Sequence, residues 1–154
     1  MNLALALAKA GARVLLIEAD MRRPKVAEYL GLEGIVGLSN VLAGLVDLDD
    51  VVQPWGRHQF YVLRSGFITP NPSELLGSRN MSALLDKQRD NHDMVIVDTP
   101  PLLPVTDAAV VAVKADGAVL VTRARRTPRA RVTAPLASLR AVDARLPPRV
   151  RTLL

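Results

Sequence analysis

Three carboxylates carry the chemistry that this sequence offers. Glu18 and Asp20 close the run VLLIEAD, and Asp98 closes a second run, MVIVD. Carboxylates are hard oxygen ligands suited to a magnesium ion, and they also serve as general bases. Side chains two apart on an extended chain point the same way, so Glu18 and Asp20 are expected on one side of a strand end. Open α/β sheets bind their ligands at the C-terminal ends of their strands. The plainer reading of VLLIEADMRRP is an ordinary strand running into a charged loop, with acids that only cap it. Against it stands the second stretch, MVIVDTPP, which repeats the design of apolar run, terminal Asp and enforced turn.

These acids need elements to position them. Val14 to Ile17 is apolar without helical periodicity, which suits a strand buried on both faces of a parallel sheet. Arg22 and Arg23 follow, and Pro24 ends the extended run, while Pro100 and Pro101 turn the chain after Asp98. Upstream, Asn2 to Ala10 predicts a helix closed by Gly11. A helix that begins at residue 2 has no room for a cap, so the expectation is a start cut through a larger fold. Short helices are expected at Val26 to Leu30 and Leu38 to Ala43, with another start at Leu48 to Val52, and a strand at Phe60 to Leu63. In SGFITPNPSELLGS, Pro70 and Pro72 force an extended turn, and Asn71 or Ser73 is expected to cap the next helix. That helix continues over Met81 to Arg89, where Met81, Leu84 and Leu85 share one face. Thr106 is expected to cap a helix through Val113, followed by a strand at Ala118 to Thr122 and a basic connector at Arg123 to Arg131. Thr133 to Val142 reads as the last helix, and the closing RVRTLL as a poor central strand behind two prolines. The alternation predicts one three-layer parallel α/β domain over residues 1–154.

Composition narrows the function classes. A chain of 154 residues fits one domain that buries about two-thirds of its unfolded surface. Aromatics make up 3%, so the core is aliphatic. The absence of cysteine removes disulfide scaffolds and thiolate metal sites and fits a reducing compartment. The net charge of +5 is uneven: residues 1–100 carry ten Lys/Arg against twelve Asp/Glu, and residues 101–154 ten against three. Without interleaved aromatics or a recognisable motif, this basic part is not read as a nucleic-acid site. His58 and His92 stand alone in loops, without partner ligands at metal-binding spacing. No apolar run reaches the roughly 18 residues of a membrane span. The start MNLALALAKAGARVLLI is interrupted by Lys9 and Arg13 and lacks a basic lead and a cleavage site, so it is read as cytoplasmic and not as a signal peptide.

Together these residues carry a resemblance. The chain resembles the cytoplasmic tyrosine autokinase domain of bacterial capsule and exopolysaccharide synthesis, the BY-kinase family, whose fold is that of the P-loop MinD/ParA ATPases. VLLIEADMRRP is similar to that family's second Walker-type motif, hydrophobics followed by Asp-x-Asp-x-Arg, and VIVDTPP to its Walker B. Those two motifs would fit MinD/ParA relatives almost as well. The segment PNPSELL resembles the kinases and not the partitioning ATPases.

The resemblance implies a protein-tyrosine autokinase that uses Mg-ATP to regulate polysaccharide synthesis and export. Glu18 would help deprotonate the substrate tyrosine or hold the metal. Asp20 and Asp98 would hold Mg²⁺ directly or through water, and Arg22, Thr99 and Pro100 would organise the site and bind the nucleotide. Implied partners are a membrane-bound polysaccharide co-polymerase or activator, protein tyrosine substrates and further copies of the domain; nucleic acid is not among them. The implied location is the cytoplasm, at the inner face of the membrane through a partner. Three departures stand beside this. No Gly-Lys-Ser/Thr occurs in the chain, the only tyrosines are Tyr29 and Tyr61, and Glu18 stands where the family usually has Asp, longer by one methylene. The P-loop strand and the last strand of the sheet are therefore expected to be missing. An inactive fragment is the expectation, with a degenerate partner-binding module or a MinD/ParA-like ATPase as alternatives.

Overall fold

The five residues of β1, Val14–Glu18, are all buried, and the sheet is built outward from them. In the computed structural model, which describes residues 1–102, 106–121, 133, 137, 139 and 140, β1 lies between two parallel neighbours. β3, Phe60–Leu63, pairs with it from Val14↔Phe60 to Ile17↔Leu63. β4, Met94–Asp98, pairs on the other side from Val14↔Met94 to Glu18↔Asp98. A two-residue strand, β2 at Gln53–Pro54, runs antiparallel along β3, giving the order β2-β3-β1-β4. The expected parallel sheet thus carries an antiparallel edge. Pro54 is tolerated there because an edge strand can spare an N–H.

Helices cover this sheet because the central strand is apolar on both faces. α1, Asn2–Lys9, buries Ala4 and Ala8 against Val14, Leu16, Phe60 and Val62, together with Val26 and Leu30 of α2, Val26–Leu30. Small alanines let α1 approach the strands closely. Leu15 and Ile17 point to the opposite face and are equally buried. The expected helix at Leu38 to Ala43 is α3, Leu38–Leu42, and the start at Leu48 is a single 3₁₀ turn, Leu48–Asp50.

The proline segment forms α4, Pro72–Gly77, with Pro72 in its first turn, where a missing N–H costs nothing. Asn71 occupies the N-cap position, but its side chain reaches Glu74 at 3.3 Å and makes no cap bond to the backbone. The side-chain cap belongs one helix later: Ser78 Oγ accepts the Met81 N–H at 3.2 Å and starts α5, Arg79–Asn91. Met81, Leu84 and Leu85 are buried as the spacing predicts.

The chain divides into two units, residues 1–100 and 101–154. In the second, α6 spans Asp107–Lys114, and Ala112 and Leu139 form a small core lined by Leu102 and Ala118. The strand expected at Ala118 to Thr122 is not formed over residues 118–121, where Val119 and Val121 are 65% and 87% exposed. β-branched residues favour a strand only when a neighbouring ladder and a packed face are there to receive them. The connector at Arg123 to Arg131, most of the helix at Thr133 to Val142 and the RVRTLL end lie outside the described residues.

Candidate active site

The site is assembled at the C-terminal ends of β1, β3 and β4. The register that pairs Glu18 with Asp98 brings the two acid-bearing strand ends side by side, and the Ala19 N–H donates to the Asp98 carbonyl at 2.7 Å. Asp98 is exposed at the end of β4, with Thr99 half-buried and Pro100 buried behind it. Although Asp98 reaches solvent, its carboxyl is pushed above the ordinary value, first by partial burial, and the negative charges of Glu18 and Asp20 add to this. The charges of Glu18 and Asp20 thus lie close enough to bear on Asp98.

Asp20 shapes the loop that leaves β1. Its Oδ1 accepts the backbone N–H groups of Arg22 at 3.2 Å and Arg23 at 3.0 Å, an Asx turn that folds the MRRP segment back over the strand end. Arg22 is exposed on this turn. Glu18 is placed differently. It is 1% exposed, and its carboxylate is engaged with backbone. Oε1 accepts from Lys25 at 2.6 Å and Val26 at 2.5 Å, and Oε2 accepts from Ser65 at 3.2 Å. The expected task of meeting a tyrosine hydroxyl or a metal confronts a geometry in which both oxygens already hold main-chain amides.

Sequence reading missed the residues that brace this arrangement. Arg64, directly after β3, is 6% exposed and donates to the carbonyls of Gly34 and of Val36, the latter at 3.0 Å. The Arg64 and Ser65 carbonyls in turn accept from Leu38 at 2.7 Å and Ser39 at 2.9 Å. Gly37 is required here by proximity, since a Cβ would collide with the Arg64 carbonyl and Gly66. Gly66, with φ of 83°, would meet Ser39 Oγ and Asn40 Oδ1. The available signal was the polar Arg-Ser-Gly at a strand's C-terminal end, the place where ligands and loops converge.

The donor set suits a hard cation in part. Among the described residues no group of three or more His, Cys, Asp or Glu side chains is arranged to hold a metal by itself. Mg²⁺ ordinarily takes one or two carboxylates and fills its other positions with phosphate oxygens and water, so a pair such as Asp20 and Asp98 would be enough on the protein side. No helix among the described residues is long and apolar enough to cross a membrane.

Known proteins resemble this chain over most of its length. The profile of an AAA-domain family, AAA_31, matches residues 1–131. The tyrosine-protein kinase YwqD of Bacillus subtilis (strain 168) is 44% identical over 126 residues, which is 82% of this chain and 53% of that protein. Among solved structures, the kinase domain of the Escherichia coli tyrosine kinase ETK superposes with a TM-score of 0.89 at 38% identity, over 94% of this chain and 56% of that one. The VpsO kinase domain superposes at 0.90 with 33% identity, over 99% and 75%. This chain thus spans about half the length of the Bacillus kinase that it matches. By motif, topology and these likenesses, the chain belongs to the AAA-domain family and, within it, to the bacterial tyrosine kinases, which share the P-loop ATPase fold of MinD.

Proposed function

We propose that this domain supplies the carboxylate half of a Mg-ATP-dependent protein-tyrosine autokinase site that regulates capsular or exopolysaccharide synthesis. The observation that carries the reading is the Glu18↔Asp98 register, which sets the DxR-type loop of Asp20 and Arg22 beside the Walker B acid. In this reading Asp20 and Asp98 hold Mg²⁺, and Arg22, Thr99 and Pro100 line the nucleotide side. Glu18 acts from beneath them, on the substrate hydroxyl, on the metal or through the loop it holds. Phosphoryl transfer asks for charge neutralisation around the transferred oxygens and an in-line nucleophile, so a metal held by two strand-end carboxylates is apt. The domain works at the inner face of the membrane with a membrane-bound co-polymerase or activator, assembles with further copies of itself and phosphorylates protein tyrosines.

The 154 residues contain no Gly-Lys-Ser/Thr, and for this polypeptide by itself we propose no kinase turnover. A backbone nest and lysine supply most of the phosphate binding in this fold. The same observation supports a second reading, a non-catalytic module that keeps its partner surface. The two are separated by joining a strand and a Gly-x-Gly-Lys-Ser/Thr loop before Met1 and assaying phosphotyrosine with Mg-ATP. Autophosphorylation supports the kinase reading; a folded, nucleotide-binding but silent protein supports the module.

A further inference from the structure

We infer that Glu18 is a positioning residue: its carboxylate ties the starts of α2 and α3 to the end of β1 and so fixes the loop that presents Asp20. The inference deepens the reading above, since it rests on Asp20 being the group that meets the metal. Glu18 sits at the end of the central strand and is almost wholly buried. One oxygen takes the Lys25 and Val26 N–H groups, which open α2, and the other takes the Ser65 N–H, 47 residues away. Ser65 is itself a relay. Its carbonyl accepts the Ser39 N–H, while that of Arg64 accepts Leu38, both in the first turn of α3.

The consequence is a closed set of ties around residues 19–25. That loop leaves β1 at Glu18 and returns to Glu18 at Lys25, so both of its ends are pinned to one side chain. Asp20 organises the interior of the same loop through Arg22 and Arg23. A carboxylate offers about four lone-pair sites, and three are used by amides. The longer Glu suits this task, because the amides belong to two segments far apart in sequence, the start of α2 and the loop after β3. A direct metal ligand or proton acceptor would instead have to present its oxygens to solvent, as the exposed Asp98 does.

Two variants separate these roles. Glu18→Gln keeps one acceptor oxygen and replaces the other with an NH₂ that cannot accept. The oxygen will stay with the two α2 amides, so only Ser65 is released. In the full chain, amide hydrogen exchange followed by NMR should show Ser65 losing about tenfold in protection in Glu18→Gln, with Lys25 and Val26 retained; Glu18→Ala should lower all three. Asp20→Asn should leave these three amides unchanged. Titration with Mn²⁺ alone, read by line broadening at residues 20 and 98, supplies the functional arm. Glu18→Gln should leave Mn²⁺ binding within twofold, and Asp20→Asn should weaken it. The inference is overturned if Ser65 exchanges equally in wild type and Glu18→Gln, or if Glu18→Gln weakens Mn²⁺ as much as Asp20→Asn does. Absence of Mn²⁺ broadening in every form would count against the metal reading, while the exchange data would still decide the tie.

Discussion

Glu18 and Asp98 are register partners on adjacent parallel strands, yet Glu18 is buried and Asp98 is exposed. The difference follows from their strands. β1 is flanked on both sides, whereas β4 pairs only with β1 among the described residues. One acid thereby holds backbone and the other faces solvent.

That placement gives Asp98 a pH signature. Although Asp98 reaches solvent, partial burial raises its carboxyl and the neighbouring acids add to this, so the folded state binds the proton more tightly than the unfolded chain does. Its ionised form therefore opposes folding, and the contribution grows as pH rises from the unfolded value through the folded one. Asp98→Asn should stabilise the chain at pH 7 by about 0.5 kcal/mol, a small figure because Asp98 reaches solvent. The gain should disappear below the unfolded carboxylate range. Urea midpoints at neutral and acidic pH check this, and an equal gain at both would contradict the assigned cause.

The core around β3 depends on one aromatic pair. Phe60 is 1% exposed and meets the edge of Trp55 at a centroid separation of 5.9 Å, while Trp55 Nε1 donates to the Leu30 carbonyl at 2.8 Å. Phe60→Ala removes a full ring from a close-packed site and should cost roughly 3–5 kcal/mol. Trp55 is the sole tryptophan, so its fluorescence reports the transition directly. An unfolding midpoint within error of wild type would show that the ring is not part of the core.

How much of this was legible depended on whether a feature was local. β1 could be read because a four-residue apolar run between Gly11 and Pro24 is too short for a helix and ends in β-branched Ile17, and β3 was read at its true bounds from a similarly short run with Phe60, Tyr61 and Val62. β2 could not be read, since two residues including Pro54 hold no pattern of their own. The cap of the proline segment was legible only in position: Asn71 stands at the N-cap of α4 as expected, but its side chain reaches Glu74 and not the backbone, and the side-chain cap at Ser78 belongs to the next helix. Asp20 and Asp98 were found as strand-end acids. Glu18 was found too, but its partners were not: a bond from Glu18 to the Ser65 amide has no signature within either stretch. Val119 and Val121 show the converse, β-type residues that no ladder receives among the described residues.

The edge of β4 makes a prediction about association. Met94 is 43% exposed at its start, and the strand's second side has no partner among the described residues. An unpaired apolar edge is a template for pairing with another chain, and a charge placed on it discourages this. The isolated chain should show an apparent mass that grows with concentration and poor solubility, and Met94→Lys should reduce both. Light scattering across a dilution series tests this; a monodisperse monomer at every concentration would refute it.

Nucleotide affinity offers the sharpest separation between the site and its surroundings. In the proposed reading Asp20 and Asp98 neutralise a metal, but the triphosphate itself is cradled in this fold by the backbone N–H groups and lysine of a Gly-Lys-Ser/Thr loop, a motif that the 154 residues do not contain. Calorimetric titration of the isolated chain with Mg-ATP should therefore give a Kd no tighter than about millimolar. Micromolar binding would mean that some other part of the chain holds the phosphates. Once a Gly-Lys-Ser/Thr strand and loop precede Met1, affinity should return and the carboxylates become decisive. In that extended protein Asp98→Ala should abolish autophosphorylation while leaving the fold intact, because removing a metal ligand withdraws charge stabilisation from the transition state. Phosphotyrosine at the wild-type level in Asp98→Ala would remove Asp98 from the site and leave Asp20 as its remaining metal-binding acid.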